Sequence, residues 1–144
     1  MQPQSPRTEV AVRAGPFRVR AEQAEIAAFA LALAVNGAGA ERSSGIPFTF
    51  PIRWLGLPAV REAIIRSVGE PSGLLVHESQ SFDYARPLEA DRDYALDIEI
   101  RRDPVPPHRI VIHAAIHDLA GTPIVKLDSV LRAVAMDSPR DGSP

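Results

Sequence analysis

The stretch that decides the fold runs from Gly73 to Pro87 and reads GLLVHESQSFDYARP. Apolar residues begin it, and polar and aromatic residues then alternate. Alternation with a period of two is typical of a half-buried β-strand, because successive side chains point to opposite faces. One predicted face carries Val76, Glu78, Gln80, Phe82 and Tyr84. The other carries Leu75, His77, Ser79, Ser81 and Asp83.

Further strands follow this stretch. The first has an apolar face of Tyr94, Leu96, Ile98 and Ile100. The next sets Ile110, Ile112, Ala114 and Ile116 against Val111, His113, Ala115 and His117. Ala120-Gly121 is the predicted turn into a long return strand, Pro123 to Ala135. Clean alternation of this kind indicates antiparallel strands with one face on a core.

Two helices and a short strand are predicted before the stretch. The segment from Val10 to Val19 is weakly strand-like around a Gly15-Pro16 break, and Ala21 to Val35 has helical apolar spacing. A second helix is predicted within 48–68, where Leu57, Val60, Ile64 and Val68 recur at three and four residues. We interpret this second helix as the more apolar of the two and place it inside a curved sheet.

Segregated strands and helices predict an α+β domain. We expect it to span residues 10–136, with a disordered lead over 1–9 and a disordered tail over 137–144. The open edges of such a sheet favour pairing with a second chain, and a symmetric dimer is the expectation.

Composition narrows the function. The chain has 144 residues and a net charge of −2, which argues against nucleic acid or an anionic membrane surface as the partner. It has no cysteine, so a thiolate nucleophile and a zinc ribbon are excluded. Because the first residues contain no apolar leader, we expect a cytoplasmic protein.

At family level, the order of these segments resembles the MaoC-like hot-dog dehydratases. The resemblance rests on LLVHESQSFDYARPL, on the preceding GIPFTFPIRWLGLPAV and EQAEIAAFALALA, and on the later HDLAG turn and LRAV strand end. It is closest to the N-terminal half of double-hot-dog members and to small accessory dehydratase subunits. It implies a single hot-dog fold, an antiparallel sheet wrapped around a central helix. It also implies fatty acid metabolism: binding of coenzyme A or acyl-carrier thioesters as substrates, with no other cofactor or metal, and reversible hydration of enoyl groups.

One departure from the family pattern concerns its chemistry. Active members use an Asp and a His on the loop after the first helix, but here residues 36–50 contain neither. General acid–base catalysis needs such groups. The usual dyad is therefore carried onto no residue of this chain.

The remaining candidates are few. His77 is a catalytic candidate or a channel residue, and it is also interpretable as a strand histidine with satisfied hydrogen bonds. Glu62 on the second helix is a weak acid/base candidate or a solvated helix residue. His113 and His117, about 13 Å apart on one strand face, lie too far apart for joint metal ligation. The predicted substrate-binding residues are Phe50, Trp54, His77, Gln80 and Tyr84, of which Phe50 and Trp54 also fit simple core packing.

Three functions stay open. The first is an acyl-thioester-binding protein of dehydratase or enoyl hydratase type. The second is a non-catalytic partner subunit of a catalytic hot-dog chain. The expected assembly is a homodimer or a heterodimer with another hot-dog chain. The third is an acyl-coenzyme A thioesterase that uses a carboxylate such as Glu62 or Asp83.

Overall fold

The structure is a computed structural model that describes residues 11–35, 45–68, 73–103, 105 and 108–135. The predicted lead over 1–9 and tail over 137–144 lie outside these ranges. In chain order the elements are β1 Ala11–Arg20, α1 Gln23–Val35, α2 Ile52–Leu55, α3 Pro58–Val68, β2 Gly73–Tyr84, β3 Asp93–Arg102, β4 Arg109–Asp118 and β5 Pro123–Ala135.

The strands form one antiparallel sheet in the order β1-β3-β4-β5-β2, so β1 and β2 are its edges. The predicted alternation of β3 and β4 is confirmed, because buried and more exposed residues alternate along both strands. The face with the buried residues is called the inner face here. Its large buried side chains include Tyr94, Leu96, Ile98, Ile110, Ile112, Ile116 and Leu127.

The first strand is continuous where the sequence indicated a break. β1 continues through the Gly15-Pro16 pair, and its register with β3 shifts between Ala14 and Phe17. Gly15 has a φ of 113°, and a Cβ at this position would lie 2.7 Å from the carbonyl oxygen of Leu96. Only glycine tolerates that backbone and that contact. The predicted break is therefore a local irregularity inside one strand.

The second predicted helix is two helices. α2 ends at Gly56, and α3 begins at Pro58, a position where the missing N–H of proline costs nothing. α3 buries Val60 and Ile64 in the core and approaches β1 and β3.

The sequence interpretation that this helix is the more apolar one is wrong. α1 has no polar residue after Glu25, yet Ile26 is its only fully buried residue among those described. α3 carries Arg61, Glu62 and Arg66, but its apolar residues share one face. A helix packs on a sheet through such a face, so the pattern and not the composition selected it. The α+β class and the antiparallel sheet are confirmed. None of the described helices is long and apolar enough to cross a membrane.

Candidate functional site

The candidate site lies on β2, where a bulge changes the predicted faces. His77 pairs with Leu131 and Ser79 pairs with Val130. Glu78 is therefore an extra residue that lies opposite no residue of β5 in the ladder. An extra residue shifts the alternation of side chains by one position. His77 therefore lies on the inner face together with Gln80. The sequence prediction, which put these two residues on opposite faces, is wrong before the bulge.

Beyond the bulge the inner face continues to the end of β2. Gln80 pairs with Ser129, Phe82 with Leu127 and Tyr84 with Val125, all on the inner face of β5. His77 and Gln80 are exposed, while Phe82 and Tyr84 are half-buried. From His77 to Tyr84 the strand extends over roughly 20 Å. These four side chains, with the cavity described below, are called the inner-face trough.

The bulge is held from the outer face by an ion cluster. One carboxylate oxygen of Glu78 accepts a hydrogen bond from Arg109 Nε at 2.8 Å, and the other lies 3.2 Å from Arg132 Nε. Arg109 and Arg132 are directly opposite each other on β4 and β5. The hydrogen bond from Arg109, helped by both positive charges, lowers the pKa of Glu78 below its ordinary value. The carboxylate is thus kept ionised on the face opposite the trough.

At the polar end of the trough, His77 contacts a buried serine. Its Nε2 atom lies 2.9 Å from Ser129 Oγ, and Ser129 is 3% exposed. Ser129 is the only fully buried polar residue in the described part of the chain. Within those same ranges no carboxylate contacts His77, and Asp83 lies on the outer face opposite Lys126.

The other end of the trough is aromatic. The ring of Phe48, which is 59% exposed, lies 5.1 Å from the ring of Phe82 and 5.5 Å from that of Tyr84. The Tyr84 hydroxyl donates a hydrogen bond of 2.6 Å to the carbonyl oxygen of Phe48. Burial raises the pKa of Tyr84 to about 12, so the phenol stays a donor at neutral pH.

A cavity of about 510 Å³ opens beside this aromatic cluster. It is lined by Gly45, Ile46, Phe48, Tyr84, Ala85, Arg86, Pro87 and Leu88. Most of these side chains are apolar, and Arg86 supplies a positive charge at the lining. A mostly apolar cavity with few polar groups is the usual form of a small-molecule site.

The other predicted site residues lie elsewhere. Phe50 and Trp54 are 0% and 2% exposed, and their rings pack in the core edge to face at 5.7 Å. They do not line the trough, and a role for them in acyl binding stays a prediction. Glu62 points to solvent and pairs with Arg66 at 3.1 Å. His113 lies on the outer face with its Nδ1 2.6 Å from Asp128, away from His77.

Sequence reasoning missed Ser129 and the Glu78 cluster. Ser129 carried a signal, since it interrupts the apolar series Val125, Leu127 and Leu131 at an inner-face position. The cluster carried none, because its arginines are distant in sequence. Within the described ranges, no group of three or more histidine and carboxylate side chains could hold a metal ion.

Comparison with known proteins gives the fold. No family model and no curated protein sequence matches the chain. A chain of the HadBC (3R)-hydroxyacyl-ACP dehydratase complex from Mycobacterium tuberculosis aligns with a TM-score of 0.63 and 17% identity, over 85% of this chain and 94% of that one. The R-hydratase PhaJ1 from Pseudomonas aeruginosa aligns with a TM-score of 0.51 and 14% identity, over 94% and 89% of the two chains.

A third solved structure is described as a different kind of protein. A probable thioesterase from Bartonella henselae aligns with a TM-score of 0.52 and 14% identity, over 94% of this chain and 98% of that one. The structural neighbours are hot-dog proteins, which confirms the hot-dog fold and agrees with the resemblance seen in the sequence. At these identities the likeness is one of fold.

Proposed function

We propose that this chain binds acyl thioesters of coenzyme A or of an acyl carrier protein in the inner-face trough, as a dehydratase- or hydratase-type hot-dog protein without a catalytic dyad of its own. One observation carries the proposal. The trough is polar at His77 and Gln80 and aromatic at Phe82, Tyr84 and Phe48. An acyl thioester has the same asymmetry, because an amide-containing arm is joined through the thioester to an apolar chain.

The missing dyad decides between binding and catalysis. Hydration of an enoyl thioester needs a group that takes a proton from water and a group that donates one. Residues 36–50 contain no Asp or His, and His77 contacts Ser129 and no carboxylate in the described part of the chain. We therefore assign to this chain the binding of the thioester, and the acid–base chemistry to a partner chain.

The partner is expected at β2. This strand is an edge, and one of its two sides pairs with β5. An edge strand is a site where another chain adds to a sheet. One structural relative is described as a complex. A second hot-dog chain along β2, identical or different, would extend the sheet beside His77 and Gln80 and would close the trough.

The test is direct binding of crotonyl- to dodecenoyl-coenzyme A by isothermal titration calorimetry. Phe82→Ala removes half-buried apolar surface from the trough and should weaken binding by about 1–2 kcal/mol, roughly tenfold. Ser81→Ala is the matched control, since Ser81 lies on the outer face of the same strand and should leave affinity unchanged. Absence of binding for every chain length would refute the proposal, and unaided hydration of crotonyl-coenzyme A would refute the division of labour.

Thioester hydrolysis is the second candidate. It is favoured by the imidazole of His77, which lies in the trough 2.9 Å from Ser129 Oγ, and by a fold shared with a probable thioesterase. Such an imidazole can take a proton from water during attack on a carbonyl. Because the chain has no cysteine, a thiol reagent detects only released coenzyme A. Release that disappears in His77→Ala would support hydrolysis, and release that persists would exclude His77 as the base.

A further inference from the structure

We infer that Glu78 is a positioning residue. Its charge, paired with Arg109 and Arg132 on the outer face of the sheet, selects the bulged register that places His77 in the trough. The inference deepens the proposed function and rests on it only for the consequence in binding. The register itself is a separate, directly measurable property.

Two registers are open to the first half of β2. In the observed one, His77 pairs with Leu131 on the inner face and Glu78 is unpaired. In a regular ladder continued backward from Ser79, Glu78 would pair with Leu131 and His77 would pair with Arg132. The regular ladder would gain one more paired residue. It would also exchange the faces of His77 and Glu78.

The regular register is disfavoured by where it puts a charge. Leu131 packs against the core, and its partner on β4 is the buried Ile110. A carboxylate at this position would lose both guanidinium groups, and the buried Nε of Arg132 would lose the carboxylate oxygen that now lies 3.2 Å from it. In the bulged register the same carboxylate meets two guanidinium groups at 2.8 Å and 3.2 Å. The charge on Glu78 is therefore what makes the unpaired residue tolerable.

The ion cluster also joins three strands. Glu78 is on β2, Arg109 on β4 and Arg132 on β5. Arg132 is the residue that would stand opposite His77 in the regular ladder, and here it pairs with Val76. Arg132 therefore has two roles. Its guanidinium group contacts Glu78 on the outer face, and its position opposite Val76 distinguishes the bulged register from the regular one. On the inner face, the His77–Ser129 contact of 2.9 Å exists only in the bulged register.

Two changes at position 78 distinguish an effect of the Glu78 charge on the register from a general disruption of the fold. Glu78→Val removes the charge but keeps the residue count, so we expect the regular register, with the introduced valine inside and His77 outside. Deletion of Glu78 removes the extra residue, so we expect a regular ladder in which His77 still pairs with Leu131. Asp83→Val is the control: it removes a carboxylate from the outer face of the same strand, where no bulge exists.

The readout is the set of cross-strand nuclear Overhauser contacts in isotopically labelled full-length protein. Glu78→Val should replace the His77–Leu131 contacts by His77–Arg132 contacts, whereas the deletion and Asp83→Val should keep them. Retention of the His77–Leu131 pair in Glu78→Val would overturn the inference. Should that variant not fold, Arg109→Met is expected to show a second set of His77 contacts, and one unchanged set there would overturn it equally.

Binding adds the functional consequence. With crotonyl-coenzyme A, Glu78→Val should weaken affinity about tenfold, while the deletion variant should stay within about threefold of the native chain. If the native chain binds no acyl-coenzyme A, the proposed function fails while the register contacts still decide the role of Glu78. If both variants bind like the native chain although the registers differ as expected, His77 lies outside the bound ligand.

Discussion

Ser129→Ala is expected to leave the fold stable while weakening the site. Ser129 is 3% exposed, and its hydroxyl contacts only His77 Nε2, at 2.9 Å, among the hydrogen bonds seen in the described residues. Loss of that hydrogen bond costs about 0.5–1.5 kcal/mol. Removal of a buried hydroxyl returns about 1–3 kcal/mol of desolvation. His77 is exposed and can bond to water instead, so no buried group is left without a partner.

The net change in the free energy of unfolding should therefore stay within about 1 kcal/mol, or about 4 °C in the midpoint of thermal unfolding for a chain of this size. Leu127→Ala is the matched control, because Leu127 lies two residues away on the same face and is 0% exposed. Truncating such a buried leucine costs about 2–5 kcal/mol. Urea denaturation followed by circular dichroism gives both values.

Unlike stability, the affinity for a thioester should be measurably lower in Ser129→Ala. Without the Ser129 hydroxyl, the His77 ring has to be ordered when a thioester binds, at a cost of about 1 kcal/mol. The affinity for crotonyl-coenzyme A should then fall about fivefold. A loss of more than about 2 kcal/mol of stability in Ser129→Ala would refute the energetic reasoning. An unchanged affinity, with weakened binding in His77→Ala, would refute the orienting role of the serine.

Three further outcomes are expected. Gly15→Ala forces a Cβ to 2.7 Å from the Leu96 carbonyl oxygen at a φ of 113°, and should cost at least about 1–3 kcal/mol in urea denaturation; an unchanged midpoint would contradict this. Tyr84→Phe loses the hydrogen bond to Phe48, which should cost about 1 kcal/mol and abolish the tyrosine titration near pH 12 in ultraviolet absorbance; persistence of that titration would assign it to another residue. Hydrogen bonds from Arg18 and then Arg20 lower the pKa of Asp93 from 3.8. Its contribution to the free energy of unfolding is therefore present above pH 3.8 and is lost as pH falls through the lower folded pKa. Asp93→Asn should make stability fall less steeply with decreasing pH, and an unchanged fall would contradict this.

Much of the fold was readable in the sequence because it rests on short-range patterns. The faces of β3 and β4 follow from strict alternation, and their burial agrees residue by residue. The sequence signal for the division of the second predicted helix is the pair Gly56 and Pro58, which end one helix and begin the next. The ranking of the two helices failed, because α1 is the more apolar in composition, whereas α3 packs on the sheet through the arrangement of its apolar residues on one face.

The bulge could not be read from the local pattern. Gln80, Phe82 and Tyr84 set a period of two, and nothing within β2 indicates that it breaks at Glu78. The cause lies in Arg109 and Arg132, which are 31 and 54 residues further along the chain. Those side chains meet Glu78 only after β4 and β5 have paired. A tertiary contact therefore decided which face His77 occupies.

The position of His77 in the trough predicts where a partner chain would supply an acid–base group. His77 has Ser129 on one side and is otherwise exposed, and it lies on the edge strand of the sheet. Residues 36–50 hold no Asp or His, so we expect any acid–base partner of His77 to come from a chain paired along β2. Hydration that appears on mixing two chains and is lost in His77→Ala would place the reaction at the shared edge. Hydration that survives His77→Ala would belong to the partner alone, and this chain would then contribute only the acyl-binding surface.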